Sequence, residues 1–196
     1  MLPPRIAPVQ VIIIPIAQHK PGVAEAAEAL RARLLQADIR VKLDLSEQSP
    51  GWKFAEYEMK GVPLRLEIGP KDLEQGQCVL VRRDDGQKTA ISLDGLEETV
   101  SSLLDQIQQS MFDRAKENVD ENTFIAHTVK EVREIIETKG GFVKTMWCGD
   151  LACELRMKEE AGVSSRCIPF AQEHLGDICP CCGKPAQKMV YWGVAY

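Results

Sequence analysis

Eight residues near the start of the chain, Val9–Ile16, read VQVIIIPI. The run is apolar and β-branched without alternation, which fits a strand buried on both faces, the condition of a central strand in a helix-covered parallel sheet. Pro15 belongs at its end, because proline cannot donate to a ladder. In Pro21–Ala37, the residues Val23, Ala26, Ala27, Leu30, Leu34 and Leu35 recur at helical spacing, and Pro21 suits a first turn. Arg40–Leu45, RVKLDL, alternates as a strand does. Strand, helix and strand make a β-α-β unit, so a parallel pair with a right-handed crossover is expected.

The next stretch keeps this class. Ser49-Pro50-Gly51 breaks the chain, Trp52–Met59 is a short helix, and Gly61-Val62-Pro63 ends it. Leu64, Leu66 and Ile68 alternate with Arg65 and Glu67, giving a strand with one core face and one charged face. A short helix from Pro70 stops at Gly76. Cys78–Arg83 and Lys88–Leu93 are strands joined by the hairpin signal Asp84-Asp85-Gly86. Leu96–Lys116 carries one apolar stripe and is a long helix. The sum is an α/β domain over residues 1–118, with five mixed strands. A helical connection is expected over 119–141, with a helix at Val129–Thr138 closed by Gly140-Gly141. Residues 142–196 form a small α+β domain with strands at 142–147, 166–170 and 188–194 and a helix at 151–160. A core this thin needs a staple.

The cysteines supply one. Of seven, Cys148, Cys153, Cys167, Cys179, Cys181 and Cys182 fall in the last fifty residues. An odd count with no export signal fits a reduced, cytoplasmic setting and a metal centre better than disulfides. Cys148-x4-Cys153 and Cys179-x2-Cys182 followed by Gly183 read as paired ends of a tetrahedral structural zinc site with no open position for catalysis. Unliganded thiols are the bland alternative, and Cys181 competes with Cys179 or Cys182. Cys167 and Cys78 are read as core residues.

Other classes are excluded. No apolar run approaches the ~20 residues of a membrane span. His19, His127 and His174 stand apart from any nucleophile, and no phosphate-cradling glycine loop is present. The net charge of −5 argues against a generic polyanion binder, so any nucleic-acid contact must be local.

Such a local patch can be drawn around Gly51–Asp72. Phe54 and Glu58 are four apart on one helix face, Arg65 lies on the polar face of the next strand, and Lys71 lies past that strand's end. A phenyl ring stacks on an unpaired base, a carboxylate accepts the N1–H and N2–H of guanine, and cations donate to O6 or N7 or grip phosphate. Arg82 and Arg83 are further phosphate candidates. The bland readings are a core Phe54, an ordinary Glu58–Arg65 surface pair, and one exposed and one paired arginine.

These motifs, in this order, resemble the C-terminal half of prolyl-tRNA synthetase of the archaeal/eukaryotic type. The resemblance runs from LPPRIAPVQVIIIPI through GWKFAEYEMKGVPLRLEIGPKDLEQGQCVLVRRDDG to SSRCIPF, the cysteine module and Tyr196. It implies a class II aminoacyl-tRNA synthetase anticodon-binding domain followed by a zinc domain. It implies that Phe54 stacks on an anticodon base of tRNA(Pro), that Glu58, Arg65 and Lys71 contact its two guanines, and that Cys148, Cys153, Cys179 and Cys182 hold zinc. Some relatives space the last pair as C-x-C, which keeps Cys181 in play. Tyr196 would pack back toward the catalytic domain. Members join proline to tRNA(Pro) with ATP and magnesium in an upstream catalytic domain, largely through which they dimerise. That domain is not in this stretch, which is expected to be a non-catalytic fragment. The alternatives are a free-standing RNA-binding accessory module, the anticodon domain of a ligase for threonine, histidine or glycine, and a flavodoxin-like binder.

Overall fold

The computed structural model describes residues 1–195. Tyr196, and with it the expected packing role of that residue, lies outside them. Two compact units divide between Arg114 and Ala115.

The first unit is built on a five-stranded sheet of β1 (Val11–Pro15), β2 (Val41–Leu43), β3 (Leu64–Ile68), β4 (Gln77–Arg82) and β5 (Lys88–Ser92), in the order β2-β1-β3-β4-β5. β1 pairs in parallel with β2 and β3, while β3–β4 and β4–β5 are antiparallel. The mixed five-stranded α/β sheet expected from the sequence is therefore present. Every residue of β1 is buried, and the reason is visible in its neighbours. Val11 and Ile13 enter a core with Ala27, Leu30 and Leu34 of α1 (Val23–Gln36) and Leu96, Val100, Leu104 and Ile107 of α4 (Leu96–Glu121). Ile12 and Ile14 enter a smaller core on the opposite face with Tyr57 of α2 (Pro50–Met59) and Val62. β3 splits the same way: Leu64, Leu66 and Ile68 join the larger core, which leaves Arg65 and Glu67 on the α2 face. α3 (Pro70–Glu74) follows β3 directly.

In the second unit β6 (Thr123–Ile125), β7 (Phe142–Trp147), β8 (Ser164–Cys167) and β9 (Lys188–Gly193) form a sheet in the order β6-β7-β9-β8. β6–β7 is parallel, and β9 is antiparallel to both β7 and β8. Val129 and Val132 of α5 (Val129–Thr138) and Cys153, Met157 and Ala161 of α6 (Leu151–Ala161) share one core with Val143, Met189 and Trp192.

Three expectations shift. The stretch 119–141 is not a bare connection, because it adds β6 and α5 to the second sheet and core. β8 is offset from 166–170 to Ser164–Cys167: the ladder slips between Ser165 and Cys167, and Pro169 has no N–H to prolong it. Cys167 is exposed rather than core, whereas Cys78 is buried in β4.

Gly141 shows how tightly β6 and β7 are joined. Its φ is 80°, and a Cβ there would lie 2.2 Å from the Asn122 carbonyl oxygen. Gly141→Ala is expected to lower stability by at least ~1–2 kcal/mol from the left-handed backbone alone, before the overlap is counted. Denaturant unfolding followed on the second unit's tryptophans, Trp147 and Trp192, measures it.

Candidate functional site

Helix α2 organises the polar face of the first sheet. Ser49 caps it, its hydroxyl accepting from the Trp52 amide at 3.3 Å, and Pro50 occupies the first turn. Lys53 and Tyr57, one turn apart, point inward. Lys53 is only 2% exposed, and its ammonium donates to the Asp44 carbonyl at 3.0 Å and lies 3.5 Å from the Asp44 carboxylate. Gln18 Oε1 is a third neighbour, at 3.4 Å. Burial would raise the Asp44 pKa, but hydrogen bonds from Ser46 and Tyr57 and the Lys53 charge outweigh it and hold the carboxyl below its usual range. Burial, then the bond to Asp44, pushes the Tyr57 phenol up to about 12. This buried cluster was not foreseen: GWKFAEYEM shows aromatic periodicity, and a lysine inside it carries no signal that it will be interior.

Phe54 and Glu58 occupy the adjacent row of the same helix. They meet Arg65 of β3 in one cleft, lined also by Ile12, Tyr57, Val62, Val81, Arg82 and Arg83. The Arg65 guanidinium lies over the Phe54 ring, with Cζ 3.9 Å from the ring centroid. Its Nη1 donates to Glu58 Oε1 at 3.0 Å and its Nε to Glu67 Oε1 at 2.9 Å. Three of the four candidate base-reading residues therefore converge.

Lys71 does not line this cleft. It sits on α3, beyond the far end of β3, and about 10 Å of strand separates Arg65 from Ile68 alone. The two arginines part as adjacent strand residues do. Arg82 is held bidentate by Asp84, at 3.0 and 2.8 Å, and is spent there, whereas Arg83 is exposed.

In the second unit the thiols of Cys148, Cys153, Cys179 and Cys182 converge, with all four sulfurs within 4.8 Å of one another. Cys148 follows β7, Cys153 lies in the first turn of α6, and Cys179 and Cys182 flank a tight turn in which the Gly183 amide donates to the Cys179 carbonyl. Gly183 itself takes φ 72°. A tetrahedron with metal–sulfur bonds of about 2.3 Å has sulfurs about 3.8 Å apart. The Cys148–Cys153 and Cys148–Cys182 separations are 3.6 and 3.7 Å, so the cluster fits such an ion. Against the effect of burial, the backbone amides of Cys182, Cys181 and Cys148 hold the Cys179 thiol down to about 7. Cys181 is turned away, its thiol donating to the Cys153 carbonyl at 3.4 Å. The four cysteines can hold a metal ion.

Among the described residues, no helix is long and apolar enough to cross a membrane.

Comparison with known proteins agrees with this geometry. Residues 10–103 match the family model for the anticodon binding domain, and residues 129–196 match that for the prolyl-tRNA synthetase C-terminal domain. The chain is 60% identical over 195 residues to a proline–tRNA ligase of Clostridium novyi, and 57% identical over 196 residues to proline–tRNA ligase 2 of Bacillus cereus. A proline–tRNA ligase of Clostridium botulinum is 57% identical over 195 residues. Each alignment covers the whole of this chain and 41% of the relative's length. The chain belongs to the prolyl-tRNA synthetase family, of which it carries the anticodon-binding and C-terminal domains.

Proposed function

We propose that the first unit reads the two guanines of the tRNA(Pro) anticodon, and that the second is a zinc-stapled domain of the same ligase. The observation that carries this is the single cleft formed by Phe54, Glu58 and Arg65 on the α2 side of the sheet. An aromatic face, a carboxylate and a guanidinium in one cleft supply a stacking platform, an acceptor for guanine N1–H and N2–H, and a donor for O6 or N7. Lys71, at the other end of β3, serves the second guanine, and exposed Arg83 serves a phosphate. Zinc is the ion of choice for four thiolates in a closed tetrahedron, with a structural role.

In a whole ligase of the relatives' length, of which this chain spans 41%, a catalytic domain would use ATP and magnesium to join proline to tRNA(Pro) in the cytoplasm, as a homodimer. The anticodon-binding domain would span 1–118 and the zinc domain 142–196, with β6 and α5 of 119–141 joining the zinc domain's sheet and core.

Binding of this chain to tRNA(Pro), and to the same tRNA with both anticodon guanines replaced, tests the reading at one stated salt concentration. A sharp loss on replacement is the expected result, and equal binding would overturn it. Glu58→Ala is expected to cost about 1–3 kcal/mol of discrimination between the two RNAs, the worth of one good base contact. An equal loss for both RNAs would make Glu58 a structural residue.

A further inference from the structure

The cleft has a property that its lining residues alone do not suggest: it is already full. Its free volume is about 20 Å³, room for a single water, whereas small-molecule sites have about 300–1,000 Å³. The occupant is Arg65, which is only 9% exposed. Its guanidinium covers the face of Phe54 and donates to Glu58. Those are the two interactions a guanine needs from the same residues. The likeness is chemical. A guanidinium is a planar N–C–N unit with parallel N–H donors, and the N1–C2–N2 edge of guanine is the same unit.

We infer that Arg65 is a built-in stand-in for guanine, and that Glu67 is the positioning residue that retains Arg65 when the base displaces it. This rests on the anticodon reading above. In the free protein the guanidinium stacks on Phe54 and satisfies Glu58. On binding, the base takes both places, and the Arg65 Nη1–Glu58 Oε1 bond is exchanged for guanine N–H bonds to the Glu58 carboxylate. The Nε–Glu67 bond, at 2.9 Å, is independent of Glu58 and serves as the pivot. Glu67 is mostly enclosed, with the Lys88 ammonium 3.8 Å away as its other cationic neighbour. Held there, Arg65 stays beside the base it has made way for and presents its freed N–H groups to the O6 and N7 edge. No proton is transferred and no covalent bond changes.

The exchange explains selectivity. A base with two adjacent N–H donors on one edge replaces the single bond that the half-exposed Glu58 carboxylate accepts from Arg65 and adds a second, both charge-assisted. Adenine and cytosine each place an acceptor beside their amino group, and uracil flanks its one N–H with carbonyls. Guanine alone matches.

Side-chain NMR of ¹⁵N-arginine-labelled chain tests this. The probes are an RNA hairpin carrying the proline anticodon loop, and the same hairpin with inosine at the two guanine positions, which removes only the N2 amino groups. The Arg65 Nε–H signal is expected to persist on binding the guanine hairpin, while its Nη signals shift and exchange faster with water. Glu67→Gln is expected to bind the guanine hairpin about ten-fold more weakly and to lose the Nε–H signal in the complex while leaving it folded. A hairpin that binds with guanine preference while the Arg65 Nη signals stay as in the free protein overturns the stand-in and leaves the anticodon reading intact. A guanine preference that Glu67→Gln leaves unchanged overturns the pivot. Binding without guanine preference, or no binding, removes the anticodon reading and this inference with it.

Discussion

Stripping the metal from the four-cysteine centre is expected to unfold the second unit and leave the first folded. The ligands come from three places: the end of β7, the first turn of α6, and the turn before β9. Without an ion, the chain must hold four sulfurs together with nothing between them. Cys153 and Cys179 also belong to the unit's core, so losing the centre opens that core from within. Structural zinc contributes about 10–16 kcal/mol in small zinc modules, more than the total stability of many domains. The cores of the first unit consist only of residues before Phe112 and contain no metal ligand. Limited proteolysis with and without a chelator should therefore cut residues 142–195 and spare 9–114. Cys182→Ser should reproduce the effect without chelator. Equal protection of both units after metal removal would show that packing alone holds the second. Acid should act in the same direction, because the ligands bind as thiolates and protons compete for them.

Asp44→Ala is expected to be the most damaging single substitution in the first unit. It strands the Lys53 ammonium, almost wholly buried, with two neutral oxygens as neighbours, and it removes the partner of the Tyr57 hydroxyl. Breaking a buried pair on one side costs about 3–5 kcal/mol, a large share of a domain's stability. Replacing both Lys53 and Asp44 by apolar residues should cost much less, because no uncompensated charge remains. Denaturant unfolding of the two variants measures the difference, and equal losses would mean the pair contributes by shape rather than charge. The pH dependence has a definite sign. The folded pKa of Asp44 is depressed, so the stabilisation is present above its unfolded value and fades as pH falls through the folded one. The wild type should lose this contribution on acidification, and the double variant should not.

How much of this could be read from sequence depended on whether a residue's type reports its surroundings. β1 was legible because a β-branched run without alternation has one comfortable environment, and both of its faces are covered. The cysteine set was legible because spacing and chemistry point to the same ion, yet only the fold turns Cys181 away. α4 runs on to Glu121, past its apolar stripe, since half of residues 112–121 are good helix formers, none is glycine or proline, and they need no buried face to continue. β6 escaped notice because three residues cannot display a period. Lys53 escaped because lysine is almost never interior, so its burial depends on Asp44 arriving from just past the end of β2. The grouping of Phe54, Glu58 and Arg65 followed from helix and strand periodicity. That Arg65 fills the cleft did not, because periodicity sets a face and not a rotamer.

The strand order of the second sheet also sets a schedule. β9 pairs with both β7 and β8, and it is synthesised after both of them and after all four cysteines. A ribosome that stops before Lys188 releases a chain whose first unit can already fold, because domains fold as they emerge. Its second unit then has two bare ladder edges where its inner strand should be. Exposed edges of that kind are templates for aggregation and openings for proteases. A copy that stops short of β9 is therefore expected to be cut more readily in its second unit than one that includes it.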